Sequence, residues 1–225
     1  MTRIHVICEG QSEEMFINEV LRGVFQPKEI YLYPSLVGRP GHKGGNVKFQ
    51  RLLTDISIRL KGDTTAYCTT FFDFYGLPQS FPGKQKAQKL TTTQSKSDFL
   101  LQAFSDELNQ RIDSDLLRRF IPYVQMYEFE GLLFSDPQAF AKGIDQEHLA
   151  SDFAKIRAKF QTPEDINDSS STAPSKRVQV CFSQYEKPTH GSLAAMEVGV
   201  VRIRAECPLF DGWLTTLESL SEENG

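Results

Sequence analysis

Cysteine is scarce in this chain, and the little there is stands apart. Cys8, Cys68, Cys181 and Cys207 are the four cysteines among 225 residues, with no Cys-x-x-Cys pair among them. That spacing excludes a zinc ribbon and offers no disulfide framework, so buried free thiols are expected. Long hydrophobic runs are missing too. No stretch reaches the roughly 20 apolar residues that a membrane span needs, and the first residues, with Arg3, His5 and Glu9, contain no apolar block of the signal-peptide kind. A cytoplasmic protein with no membrane partner is expected. Nor is positive charge in excess: the formal net charge is -4, which argues against wholesale coating of nucleic acid but leaves room for local basic patches that bind phosphate. No internal repeat is visible. The Gly-rich turn Gly38-Arg39-Pro40-Gly41-His42-Lys43-Gly44-Gly45 lacks the Gly-Lys-Ser/Thr order of a Walker A loop, so nucleotide hydrolysis is not indicated.

What is present is a core. Hydrophobic residues make up 40% of the chain, enough to fill one large domain or a core with an appendage. Strand-like runs alternate with helical patterns. Arg3 to Cys8 reads as the first strand, followed by a helix that Ser12 can cap and that places Phe16, Ile17, Val20, Leu21 and Val24 at helical spacing. Ile30 to Val37 is a second strand, and Phe49, Leu52, Leu53, Ile56 and Leu60 mark a second helix. Ala66 to Phe72 is the third strand. A loop rich in Lys, Gln and Thr then runs from Gly76 to Gln94, Phe99 to Leu108 keep helical spacing, and Phe120 to Met126 is the fourth strand. This order predicts an α/β fold, a Rossmann-like, mainly parallel four-stranded sheet with helices on both faces. Residues 1–135 form that core. Residues 136–225 read as a helical extension packed on it, crossed by a polar stretch from Thr162 to Lys176 that has the composition of an exposed linker.

Two carboxylates stand where such a sheet binds ligands. Glu9 ends the first strand and Asp73 the third, each with a glycine close behind it, and parallel strands present their C-terminal ends to a common crevice. Magnesium prefers oxygen ligands, keeps several waters and usually takes one or two protein carboxylates, so this pair meets the minimum. Glu13 lies in the first turn of the following helix, facing the same crevice, and Glu128 and Glu130 follow the fourth strand. Each also has a plainer explanation: acids in a first turn complement the helix dipole, which is the better account of Glu14, and Glu128 and Glu130 can cap the helix that runs through Phe134.

The residues also carry a resemblance. Glu9-Gly10-Gln11-Ser12-Glu13-Glu14-Met15-Phe16 resembles the first motif of the Toprim fold, shared by topoisomerases, primases and the overcoming-lysogenization-defect nucleases. Asp73-Phe74-Tyr75-Gly76 is similar to its Asp-x-Asp motif, with Tyr75 where the second aspartate is usual. Together with Tyr127-Glu128-Phe129-Glu130-Gly131-Leu132-Leu133-Phe134 and Tyr185-Glu186-Lys187-Pro188-Thr189-His190-Gly191, these motifs identify the chain as a member of the Toprim-like family DUF4276. The resemblance implies a nuclease that cleaves phosphodiester bonds of DNA or RNA with Mg2+ or Mn2+, the effector of a phage-defence system working with a separate ATPase. It assigns Glu9, Glu13 and Asp73 to metal, leaves the roles of Glu128 and Glu130 open, and gives Lys187 the stabilisation of transition-state charge beside catalytic Glu9 and Asp73.

A nuclease centre needs a basic rim, because rim cations hold phosphates while metal neutralises the reacting one. Arg39, Lys43 and Lys48, beyond the second strand, and Lys84, beyond the third, are the candidates for nucleic-acid binding; surface lysines that only solvate a loop are the plainer reading of Lys86 and Lys89. A module that binds nucleic acid or a partner protein without cutting stays open, since Tyr75 cannot replace a charged ligand. A phosphatase of the haloacid dehalogenase class is disfavoured by the absent Asp-x-Asp nucleophile motif.

Overall fold

The structure is a computed structural model that describes residues 1–38, 47–167 and 172–221. Four parallel strands make one sheet: β1 (Thr2–Cys8), β2 (Ile30–Leu36), β3 (Tyr67–Phe71) and β4 (Phe120–Ile121), in the order β2-β1-β3-β4. β1 is central. Its Thr2 and Cys8 sit opposite Ile30 and Leu36, and its Ile4 and Cys8 opposite Tyr67 and Phe71. Because successive side chains of a strand point to opposite faces, Ile4, Val6 and Cys8 pack on one side with Phe16, Ile17 and Leu21, whereas Ile7 packs on the other with Leu52, Ile56, Leu60, Leu100 and Phe104. The expected two-faced α/β sheet is therefore observed, with free cysteines and with Cys8, Cys68 and Cys207 buried.

The local departures have physical causes. β4 is shorter than the 120–126 run predicted, because Pro122 has no N–H to give to the ladder. The Thr70 hydroxyl fills the gap, donating to the Tyr123 carbonyl at 2.7 Å and accepting the Tyr123 N–H at 3.0 Å. Pairing resumes at Asp73 and Gln125. The first helix starts at Gln11 behind an extended Gly10 rather than at a Ser12 cap, and passes through a π-helical turn, Ile17–Leu21, before Arg22–Phe25. Within the 76–94 loop, Lys84–Ala87 forms one helical turn.

The stretch read as an exposed linker is largely packed. Pro163–Asp165 makes a 3-10 turn, and Pro163, Glu164, Ile166, Pro174 and Ser175 are buried; residues 168–171 lie outside the described ones. Glu164 explains why polar sequence is drawn inward: its carboxylate accepts the backbone N–H groups of Leu209 and Phe210, both at 2.9 Å, at the start of the helix Pro208–Ser219. That helix docks on the sheet through Trp213, whose Nε1–H donates to Thr69 Oγ1 at 3.0 Å while its ring stacks on Tyr123 at 4.4 Å and 7°. The helical extension thus shares a core with β1 and the first helix. Among the described residues no helix is long and apolar enough to cross a membrane.

Candidate metal centre

The chain runs from β1 to β2 on one side and returns to β3 on the other, so the carboxyl ends of β1 and β3 flank the point where the winding reverses, the place where open α/β sheets bind ligands. Glu9 and Asp73 meet there. Glu9 Oε2 accepts the Asp73 N–H at 3.1 Å, and Asp73 Oδ1 accepts the Phe129 N–H at 2.8 Å, which leaves the second oxygen of each carboxylate without a hydrogen bond among the described residues. Glu13 joins them from the first helix, its Oε2 reaching back to the Gly10 N–H at 2.8 Å, as an acid at that position does in a capping box. Gly76 closes the turn after Asp73 against Glu9: a Cβ there would run into both Glu9 carboxylate oxygens.

A second group arrives from the segment after β4 and from the helix Lys187–Val198. Tyr127 adopts a left-handed φ of 62°, uncommon for a bulky side chain, and its carbonyl accepts the Tyr75 N–H at 3.0 Å. Beyond that kink Glu128 and Glu130 converge on Lys187, whose Nζ donates to Glu128 Oε1 at 3.3 Å and to Glu130 Oε2 at 3.1 Å. Glu128 Oε2 takes the Ser175 N–H at 2.8 Å. Glu130 Oε1 is buried without a hydrogen-bond partner among the described residues.

Burial dominates the electrostatics. It raises the Glu9 carboxyl to about 7, with Glu13 adding to the effect, and raises Glu130 to about 7 against the opposing pull of Lys187. Asp73 is pushed well above the usual carboxylate range by burial and then by Glu13, and Glu13 is raised by its own burial. Burial lowers the Lys187 ammonium, but Glu130, Asp73 and Glu128 more than offset this and hold it above its ordinary value. A site in which buried acids crowd one another and several carboxylate oxygens lack a donor among the described residues is short of positive charge. The donors are all hard oxygens, which suits Mg2+ or Mn2+. Among the described residues no three acidic, histidine or cysteine side chains converge as a ready ligand set, so a cation here would rest on few carboxylates and on water, as magnesium commonly does.

The model of the family described as a domain of unknown function, DUF4276, matches residues 8–218. The chain belongs to this family. The match takes in both the sheet and the helical extension, and so every acid of the centre together with Lys187. No curated protein and no solved structure matches the chain.

The structure brings Glu9, Glu13, Asp73, Glu128, Glu130 and Lys187 to one end of the sheet, Lys187 from the first turn of its helix. Lys48 is exposed at the N-terminus of the helix Phe49–Gly62, at that same end. Arg39 and Lys43 lie outside the described residues. Lys84 requires a correction: it is 1% exposed and therefore is not part of a phosphate-binding rim. Its Nζ donates to the Phe74 carbonyl and sits 3.2 Å from the Phe74 ring centroid, and burial brings its pKa down to about 7, against the pull of Glu9. This lysine supports the Asp73-Phe74-Tyr75-Gly76 turn from below. Nothing in the Lys- and Gln-rich composition around it distinguishes it from its exposed neighbours Lys86 and Lys89. Tyr75 donates its hydroxyl to Asn167 Oδ1, another contact that spacing along the chain does not reveal.

Proposed function

We propose that the protein is a divalent-metal-dependent nuclease that hydrolyses phosphodiester bonds of DNA or RNA. The observation that carries this reading is the meeting of Glu9 and Asp73 at the reversal point of the sheet, tied by the Asp73 N–H and each keeping an oxygen to spare. Glu9 and Asp73 would hold Mg2+ or Mn2+, with Glu13 close by. When bound, such a cation polarises phosphoryl oxygens and acidifies its water, which is what phosphodiester hydrolysis requires. The chain's own part is to keep the carboxylates in place through backbone N–H groups, to hold the Lys187 charge beside them, and to offer exposed cations such as Lys48 to neighbouring phosphates. Action as the effector of a phage-defence system, beside a separate ATPase, belongs to the same proposal and draws on the Toprim-like motifs.

Tyr75 favours a second reading, a non-catalytic module that binds nucleic acid or a protein, because the position of a second motif aspartate is given to a phenol engaged with Asn167. One experiment separates the two. Wild type and Glu9→Gln are incubated with DNA and RNA in Mg2+ or Mn2+, with any ATPase partner present, and Mn2+ affinity is measured in parallel. The nuclease reading expects cutting by wild type only and at least a tenfold loss of Mn2+ affinity in the variant, about 1.4 kcal/mol. Binding of nucleic acid with no cleavage by wild type would establish the module instead.

A further inference from the structure

We infer that the centre takes a single divalent cation, at Glu9 and Asp73, and that Lys187, seated between Glu128 and Glu130, is a built-in second positive charge where another metal would otherwise sit. This rests on the metal-dependent reading above and goes beyond it by giving the number of ions and the identity of the second charge.

The geometry points to it from three sides. First, both oxygens of Glu128 already have protein donors, Lys187 Nζ at 3.3 Å and the Ser175 N–H at 2.8 Å, so an incoming ion would have to share Glu128 with an ammonium and a backbone N–H. Second, the Lys187 ammonium bridges Glu128 and Glu130, as a cation shared by two carboxylates would, and Pro188 at the start of its helix fixes the backbone that carries it. Third, Tyr75 brings a neutral phenol to the turn after Asp73, so the motif there supplies no further carboxylate. Glu128 and Glu130 are a poor cage once an ammonium stands between them. They are not an inert pair, however. Glu130 is 1% exposed and its Oε1 is unpartnered among the described residues, so a buried oxygen has vacant ligand capacity that removal of Lys187 would make available.

The test counts bound Mn2+ per full-length chain by calorimetry and by the loss of the free-ion paramagnetic resonance signal. Wild type and Lys187→Arg should each bind one ion, and Glu9→Gln none. Lys187→Met should bind a second ion more weakly than the first, and adding Glu130→Gln to it should return the count to one. Two ions in wild type, or a count of one in a folded Lys187→Met, overturns the inference while leaving a metal-dependent enzyme in place. No ion in wild type overturns the inference and the metal reading together. If Lys187→Met does not fold, because two buried acids lose their cation, the wild-type and Lys187→Arg counts still decide between one ion and two.

Discussion

At Gly76 a single methyl group decides whether Glu9 can stand where it does. A Cβ there would meet both Glu9 carboxylate oxygens, and because those atoms are the far end of a side chain, the cheap response is for Glu9 to swing away rather than for the turn to unfold. Gly76→Ala should therefore separate the site from the fold. Mn2+ affinity measured by calorimetry should fall at least tenfold, while stability falls by about 1–3 kcal/mol, the cost of the acceptor that the Asp73 N–H loses, and the chain still folds. Unchanged affinity in the variant would mean that Glu9 does not need this position to bind metal. The same residue-scale view covers Lys84. Its charge is spent on the Phe74 carbonyl and ring, so its removal would act through the turn and not through capture of phosphate.

At the scale of elements, the helix Pro208–Ser219 depends on a carboxylate that is remote in sequence. Pro208 opens the helix without an N–H to satisfy, and the next two N–H groups, of Leu209 and Phe210, both end on Glu164. Glu164→Ala leaves two orphan donors at a helix start, so it should cost about 1–3 kcal/mol, read as a lower midpoint in denaturant. Since Trp213 is the single tryptophan and stacks on Tyr123, its fluorescence reports the docking of this helix directly; an unaltered midpoint would show that Glu164 is not its cap. This contact also marks where the sequence stopped being legible. Strands and amphipathic helices were readable because alternation and helical spacing are local, and the approach of Glu9 to Asp73 followed from parallel strands sharing one end. The apolar run 120–126 does not show where β4 stops, because Pro122 ends the ladder by lacking an N–H and not by a change in hydrophobicity. The segment around Glu164 looked like a linker because its polarity is satisfied by backbone groups more than 40 residues away. The bridge from Lys187 to Glu128 and Glu130 was hidden for the same reason: a lysine in one helix and acids after β4 are neighbours only once both have docked on the sheet.

Across the whole molecule the buried acids set how stability depends on pH. Glu9, Glu130 and Glu164 are each raised by burial from 4.5 to about 7, whereas in the unfolded chain a glutamate ionises near 4.3. Between about pH 4.3 and about pH 7 these acids hold more protons in the folded protein than in the unfolded one, so their contribution to stability falls as pH rises through that window and levels off above it, where Lys84, lowered by burial to about 7, has the opposite sign. The acids' contribution is fully present only below about pH 4.3. Because Glu164 has the same sign but lies at the helix start, Glu9→Gln should flatten the slope without removing it. A divalent cation at Glu9 and Asp73 favours their ionised forms and works against this loss. Thermal melts from about pH 5 to about pH 7 should then show Tm of the metal-free protein falling, at about 2–4 °C per kcal/mol lost for a chain of this size. Added Mg2+ should raise Tm more at the alkaline end than at the acid end, and much less in Glu9→Gln at either end. A metal-free Tm that rises through the window would mean that these acids ionise more readily in the folded protein than in the unfolded chain, so that protein partners already hold their charge and no uncompensated burial is left for a cation to relieve.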